Sequence, residues 1–472
     1  MADDLCFTTA VELARRLRAG DVSAREVLRA HLAQIERVNP MVNAIVTLVP
    51  ERAEAAARAA DEAFARGEPV GPLHGLPIAH KDLALTAGIR TTMGSPIFAD
   101  QVPDEDELFV ERIRAAGAIV VGKTNTPEFG AGSHTFNPVF GSTRNPWSLD
   151  RSAGGSSGGA AAALACGLVP IADGSDLGGS LRNPASFCNV VGFRPTPGRV
   201  PSWPSDDPAQ VLAVDGPMAR TVGDAALLLS VMAGPDPRVP ISLPGPGSDL
   251  APPFEDGRRG VIAWAPDAAG TMPVDPEVVR VIAGARPVFE ALGWRTEAAF
   301  PDLSDARRVF LVERAQMYRA LGPLMDEHPG QMKATVVWNI EEGRRLTSAD
   351  RVEASRLHKG IRSRMAGFFE RFDLLVMPAA QVPPFHAALE YPAAVDGRPM
   401  ATYLDWMECC WCITVTGSPA ISVPCGFTPG GLPVGVQIVG RPGEDLRVLQ
   451  AAEAFETASG VGLRHPAVAM PG

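Results

Sequence analysis

The chain has 472 residues and a formal net charge of −11, with 54 acidic residues against 43 Lys and Arg. No basic run is long enough to track a phosphate backbone, so nucleic acid is not expected as a direct partner. No stretch approaches the roughly 18 consecutive apolar residues of a membrane span, and with 46% hydrophobic residues the chain can build a large core.

In chain order, the start Met1-Ala2-Asp3-Asp4-Leu5 is acidic and lacks the basic and apolar regions of a secretory signal, which leads us to expect a cytoplasmic protein. From Thr9 to about Arg37, Leu13, Leu17, Val27, Leu28, Leu32 and Ile35 recur at helical spacings. Glu51–Arg66, rich in Ala and charge, reads as another helix, closed by Gly67-Glu68-Pro69. Leu73–Asp82 reads as a turn and then a short strand that ends at Lys81. Thereafter short apolar runs such as Ile119-Val120-Val121 alternate with helical stretches, Glu107–Ala116 and Ala160–Ala165, the rhythm of a helix-covered α/β sheet. Asp215–Met232 reads as a turn into a helix. Residues 233–256, rich in Pro, Gly and Ser, read as a long surface excursion. Beyond them Gly260–Trp264 and Asp373–Pro378 read as strands and Asp275–Leu292 as a helix.

Two glycine-rich segments carry the chemistry. The first is Gly154-Gly155-Ser156-Ser157-Gly158-Gly159; the second, Asp176-Leu177-Gly178-Gly179-Ser180-Leu181-Arg182, places Ser180 24 residues after Ser156. Glycine permits positive φ and close backbone approach, so each turn can expose a hydroxyl and aim N–H groups at one point. Ser180 follows two glycines, and the N–H groups of Leu177, Gly178, Gly179 and Ser180 can converge as an oxyanion hole. A serine hydroxyl needs a base to take its proton. Lys81 can be that base only when neutral, which demands a pKa far below about 10.4, and Ser156 would bridge the two.

With Val121-Gly122-Lys123-Thr124-Asn125, Gly192-Phe193-Arg194-Pro195-Thr196 and Gly435-Val436-Gln437-Ile438-Val439-Gly440, these motifs resemble the amidase signature hydrolases over nearly the whole chain. The resemblance implies a Ser-cisSer-Lys set: Ser180 as nucleophile, Ser156 as the cis-peptide serine, Lys81 as the lysine. It also implies a single α/β/α sandwich around a large mixed, mostly parallel sheet. That organisation gives one domain over 1–472, with a helical cap at 1–66, the catalytic core at 71–232, the excursion at 233–256, and 257–472 completing sheet and pocket. Ser175 stands where threonine is commoner, Leu177 and Leu181 replace smaller or β-branched residues, and Arg194 replaces a lysine. Ser157 and Ser175 are expected to fix Lys81 and the relay, with Asp176 and Arg182 bracing the nucleophile loop as an ion pair.

The expected cycle is attack of Ser180 on a carbonyl, its proton passing through Ser156 to Lys81 and on to the leaving nitrogen, followed by hydrolysis of the acyl-enzyme. Amides, esters and carbamates all suit this chemistry. Small aryl or alkyl amides are the expected substrates, and carbamate hydrolysis is the alternative. Tyr403, Trp406, Trp411, Met317, Met332 and Trp338 are candidates for the pocket walls. No cofactor and no metal is called for, and a homodimer is the default expectation.

Other readings of the same residues differ in what they need. Gly155-Ser156-Ser157-Gly158-Gly159 also fits a G-x-S-x-G nucleophile elbow with Ser157 as nucleophile and His358, His386 or His465 as base, but that reading leaves Lys81 and Ser180 unused. His80, next to Lys81, should point to the other side of its strand as a packed residue, and His134 could line the pocket. Cys409 and Cys412 form a C-x-x-C pair, yet a zinc site needs about four ligands, so buried apolar packing is the reading preferred for the cysteines. The family also includes components of tRNA-dependent amidotransferases; the stretch from Gly198 to Trp203 resembles the stand-alone amidases more.

Overall fold

The computed structural model describes residues 5–205, 207, 210–255 and 257–470. The acidic start Met1–Asp4 and Asp256, the last residue of the Pro/Gly-rich excursion, lie outside the described residues.

Thr9 and Ser23 explain why the N-terminal helical pattern is two helices. Thr9 caps Ala10–Ala19, which ends at Gly20 in a left-handed conformation. Ser23 and Glu26 then form a capping box that starts Ala24–Val42, satisfying N–H groups that a fresh helix would leave open. Pro50–Ala65 follows. Between the last two, Ile45–Leu48 forms a strand that pairs antiparallel with Ile119–Thr124. The N-terminal region therefore contributes an edge strand as well as helices, a run too short to stand out beside them.

Eleven strands form one sheet, in the order 45–48, 119–124, 77–81, 171–176, 214–219, 191–194, 420–427, 433–439, 374–378, 261–264 and 295–298. The expected mixed sheet flanked by helices is present, but its balance differs from the mostly parallel expectation. Six neighbour pairs are antiparallel and four are parallel. One cause is Val214–Ala219, where the sequence predicts a turn and the chain forms a strand, inserted antiparallel between its two neighbours; the helix starts only at Val222. The prolines and glycines around it mask the alternation that marks a strand.

Strands Pro77–Lys81, Ile119–Thr124, Leu374–Pro378 and Pro433–Val439 are buried at every residue. Both faces are covered, so their sequences lack polar–apolar alternation, and the few polar residues in them, such as His80, Lys81, Lys123 and Gln437, are buried. Helices Gly158–Ala165 and Val222–Met232 pack on the first half of the sheet, Arg182–Cys188 on its middle strands 191–194, 420–427 and 433–439, and Pro276–Ala291 and Asp445–Ser459 on the second half. Among the described residues no helix is long and apolar enough to cross a membrane.

Candidate active site

Lys81 ends its strand with a side chain only 1% exposed. The strand Ile171–Asp176 runs parallel beside it, with Ile78 opposite Ile171, which carries Ser175 to the lysine end. Lys81 Nζ donates to Ser156 Oγ at 2.7 Å and to Ser175 Oγ at 3.0 Å. Burial pushes the Lys81 pKa down to about 7, against the opposing pull of Asp215, Asp173 and Asp176. At that value a substantial neutral fraction exists near neutral pH, which is what a base requires.

Ser156 follows a turn whose Gly155–Ser156 peptide bond is cis. A Cβ on Gly155 would stand 2.9 Å from the His134 backbone nitrogen, so the close approach of these two segments requires glycine. His134 does not line the cavity. It is buried, with Nε2 at 2.9 Å from the Ala387 carbonyl and Nδ1 at 2.8 Å from the Ser152 hydroxyl, and so braces the loop from behind.

Ser180 faces the same cavity as Ser156 and Ser175. Gly179 beside it has φ +116, and a Cβ there would meet Cys410 Cβ at 2.6 Å. Of the four N–H groups expected to form an oxyanion hole, that of Gly179 is donated to Asp176 Oδ1 at 2.9 Å. This narrows the expectation, because a donor already paired to a buried carboxylate is not free for a substrate oxygen. The N–H groups of Leu177, Gly178 and Ser180 make no protein hydrogen bond among the described residues.

The Asp176–Arg182 pair is formed, with Arg182 Nη2 at 2.8 Å and Nε at 3.0 Å from the two carboxylate oxygens, and both side chains are fully buried. Arg194, noted in the sequence only as a departure, is the third member, 3.4 Å from Asp176 Oδ1 and donating to the Asp176 carbonyl. Burial alone would raise the Asp176 pKa, but the Arg182 and Arg194 guanidinium groups outweigh it and hold the carboxyl well below its ordinary value. Burial pushes Arg194 down to about 10, against the pull of Asp176. Arg182 also donates to Gln437 Oε1 at 2.6 Å and to the Cys410 carbonyl at 3.0 Å, fastening the serine turn to the C-terminal half.

Ser157 has a different role from the one expected. Its hydroxyl reaches the Ser175 carbonyl at 3.5 Å and its N–H the Ser180 carbonyl at 3.2 Å. It ties the two serine turns together, whereas the hydroxyls on Lys81 are those of Ser156 and Ser175. The histidines of the elbow reading are engaged elsewhere: His358 with Glu313 at 2.6 Å, His386 with the Ala388 N–H at 3.1 Å, and His465 against the Phe7 ring.

Two carboxylates escape the sequence reading. Asp173 accepts the Lys81 backbone N–H at 3.1 Å and pairs with His80 Nδ1 at 2.6 Å; His80 is thus the packed, hydrogen-bonded residue expected. Asp215 sits opposite Ser175 in the strand register, its pKa pushed up to about 6 mainly by burial. An aspartate inside a buried strand is the available signal. It is hidden at Asp215 because the sequence there resembles a turn.

The serines form the floor of a cavity of about 240 Å³. Its walls are Leu83, Phe129, Leu177, Met317, Tyr318 and Leu321. Phe129 adopts φ +49, uncommon for a bulky side chain, and its carbonyl accepts the Tyr318 hydroxyl at 3.3 Å. Of the six large residues expected as walls only Met317 lines the cavity. Tyr403, Trp406 and Trp411 are core residues, Met332 packs in a small satellite cluster, and Trp338 meets Tyr403 edge-on at 6.0 Å. Cys409, Cys410 and Cys412 are buried, and among the described residues no cluster of three or more His, Cys, Asp or Glu is placed to hold a metal ion.

The family described as Amidase matches residues 26–449. The chain belongs to this family. The amidase-family chain is 35% identical over 460 residues to an acylamidase of Rhodococcus erythropolis, covering 96% of each chain. It is 37% identical over 491 residues to a glutamyl-tRNA(Gln) amidotransferase subunit of Synechococcus sp. (strain CC9605), covering 97% of each. Among solved structures it is similar to a bacterial aryl acylamidase of the amidase signature family, with TM-score 0.87, 32% identity and 96% of each chain covered. The protein is accordingly an amidase-family hydrolase acting on carbon–nitrogen bonds.

Proposed function

We propose that this hydrolase cleaves small linear amides through an acyl-enzyme on Ser180, with Ser156 relaying the proton to Lys81. The observation that carries the reading is the buried Lys81 amine, 2.7 Å from the Ser156 hydroxyl and with its pKa pushed down to about 7, at the floor of a cavity that Ser180 also lines. In the cycle Ser180 Oγ attacks the amide carbon while its proton moves to Ser156 and that of Ser156 to neutral Lys81. The tetrahedral oxygen is met by the open N–H groups of Leu177, Gly178 and Ser180. Collapse expels the nitrogen, which takes the proton back along the relay, and water then attacks the ester in the same way. The ion pair of Asp176 with Arg182 and Arg194 holds the turn that aims Ser180. Aryl carbamates present the same carbonyl and nitrogen leaving group and are the second substrate class supported by this chemistry.

The test is hydrolysis of a matched anilide, aryl ester and N-aryl carbamate by the wild type and by Ser180→Ala. Loss of about 10⁴-fold or more in kcat/KM in the variant is expected, the scale for removing a serine nucleophile. Retention of the wild-type rate would reject Ser180 as nucleophile. The glutaminase component of an amidotransferase is the competing reading, favoured by the 37% identity to the amidotransferase relative; release of ammonia from glutamine only after a partner protein is added would establish it.

A further inference from the structure

The walls of the cavity bear on which amides can enter it. Among the described residues every side chain lining it is uncharged, and its polar groups are the three floor serines and Tyr318. The Tyr318 hydroxyl is already donated to the Phe129 carbonyl. Three cations lie nearby, and none lines the cavity. Lys333 donates to the Ala131 carbonyl at 2.9 Å and lies over the Phe136 ring at 4.4 Å. Lys81 is 1% exposed behind Ser156 and Ser175. Arg314 stacks on the Tyr318 ring at 4.4 Å from its centroid, donates to Asn339, and lines a separate cavity.

A charged substituent carried into such a cavity loses its hydration and finds no counter-ion, a cost that grows steeply in an apolar surround. An uncharged alkyl or aryl group there buries apolar surface against Leu83, Leu177, Met317 and Leu321, and can pack edge to face on Phe129 or Tyr318. A volume of about 240 Å³ is below the roughly 300–1,000 Å³ usual for drug-sized ligands, so the group is small.

We infer that the cavity selects by charge: it takes an amide whose enclosed substituent is a small, neutral, apolar group and rejects free α-amino acid amides, glutamine among them. The inference rests on the hydrolase reading above, since it names the substrate class of the same site.

Binding to Ser180→Ala separates the two. Three ligands are compared by calorimetry: butyranilide; succinanilate, which carries a carboxylate on the acyl side; and N-butyryl-4-aminobenzoate, which carries one on the amine side. At least one charged ligand, the one whose carboxylate enters the cavity, is expected to bind tenfold or more weakly than butyranilide, with glutamine showing no binding at millimolar concentration. A Met317→Arg exchange on the same background should narrow that gap. Equal or tighter binding of both carboxylates, binding of glutamine comparable to butyranilide, or no binding of butyranilide would overturn the inference. None of these readouts involves turnover, so failure of Ser180 as nucleophile is read separately from the kinetics.

Discussion

The floor and the walls of the cavity are built on opposite terms. The floor is made by strand ends and glycine turns between residues 77 and 194, where most polar groups are hydrogen-bonded and Lys81, Asp176, Arg182 and Arg194 are all buried. The walls come from Leu83, Phe129 and the helical segment around Met317–Leu321, side chains that are mainly apolar, with the Tyr318 hydroxyl held by the Phe129 carbonyl. Under the proposed function, chemistry falls to the floor and selectivity to the walls. Changing a floor residue unpairs something buried, whereas changing an aliphatic wall residue such as Leu321 leaves no buried polar group without its partner.

Four experiments put that division to the test. Asp176→Asn should have the largest effect of these. It leaves two buried guanidinium groups without their carboxylate, and about 3–5 kcal/mol of stability is expected to be lost in urea unfolding, the range for removing one partner of a buried ion pair. A loss below about 1 kcal/mol would show that the floor does not depend on this charge balance. Next is pH. Lys81 accepts a proton only when neutral, and its neutral fraction rises as pH passes upward through about 7. On a neutral anilide, kcat/KM should therefore climb with pH and level off above that value, and should be about fiftyfold lower at pH 5 than at pH 7. A flat profile between pH 5 and 7 would remove Lys81 from the proton path.

Gly179→Ala ranks third. It forces a Cβ to within 2.6 Å of Cys410 Cβ at a backbone φ of +116, and about 1–3 kcal/mol of destabilisation is expected, together with reduced activity. Leu321→Ala is the smallest. With only apolar contact removed from a wall, KM for a neutral anilide should rise about threefold to tenfold while kcat and the midpoint of unfolding stay near wild type. A large fall in kcat would mean that this wall also positions the scissile bond.

The same contrast decides how much can be read from the sequence. The grouping of Lys81 with Ser156 and Ser175, and of Asp176 with Arg182, is legible because glycine-rich turns that present a hydroxyl admit few residue types and the motifs resembling the amidase signature stand at fixed spacing. The expected partners of Lys81 divide: Ser175 touches it, while Ser157 joins the two turns. The N–H groups proposed as oxyanion donors can be read as a segment but not one by one, because only the folded turn reveals that Asp176 takes the Gly179 N–H. The walls are barely legible. Trp406 and Trp411 carry the same apolar character as Met317, and nothing in the sequence tells a residue facing a cavity from one facing the core. For the fold, helices Pro50–Ala65 and Pro276–Ala291 match the expected ranges Glu51–Arg66 and Asp275–Leu292 to within a residue. Strands Ile45–Leu48 and Val214–Ala219 do not stand out, since a short strand beside strong helices, or one punctuated by Gly and Pro, presents little period-two signal.

The residues that surround Lys81 are remote along the chain: Ser156 is 75 positions away and Ser175 is 94. During synthesis the lysine leaves the ribosome well before either hydroxyl exists, and at that stage its ammonium is hydrated and charged like any other. The role of base proposed for it can arise only once Ile171–Asp176 has docked beside Pro77–Lys81 and closed water out. A nascent or truncated chain ending before residue 175 therefore carries the lysine but not the base, so hydrolytic activity during synthesis should appear abruptly with the assembled sheet and not grow in proportion to chain length.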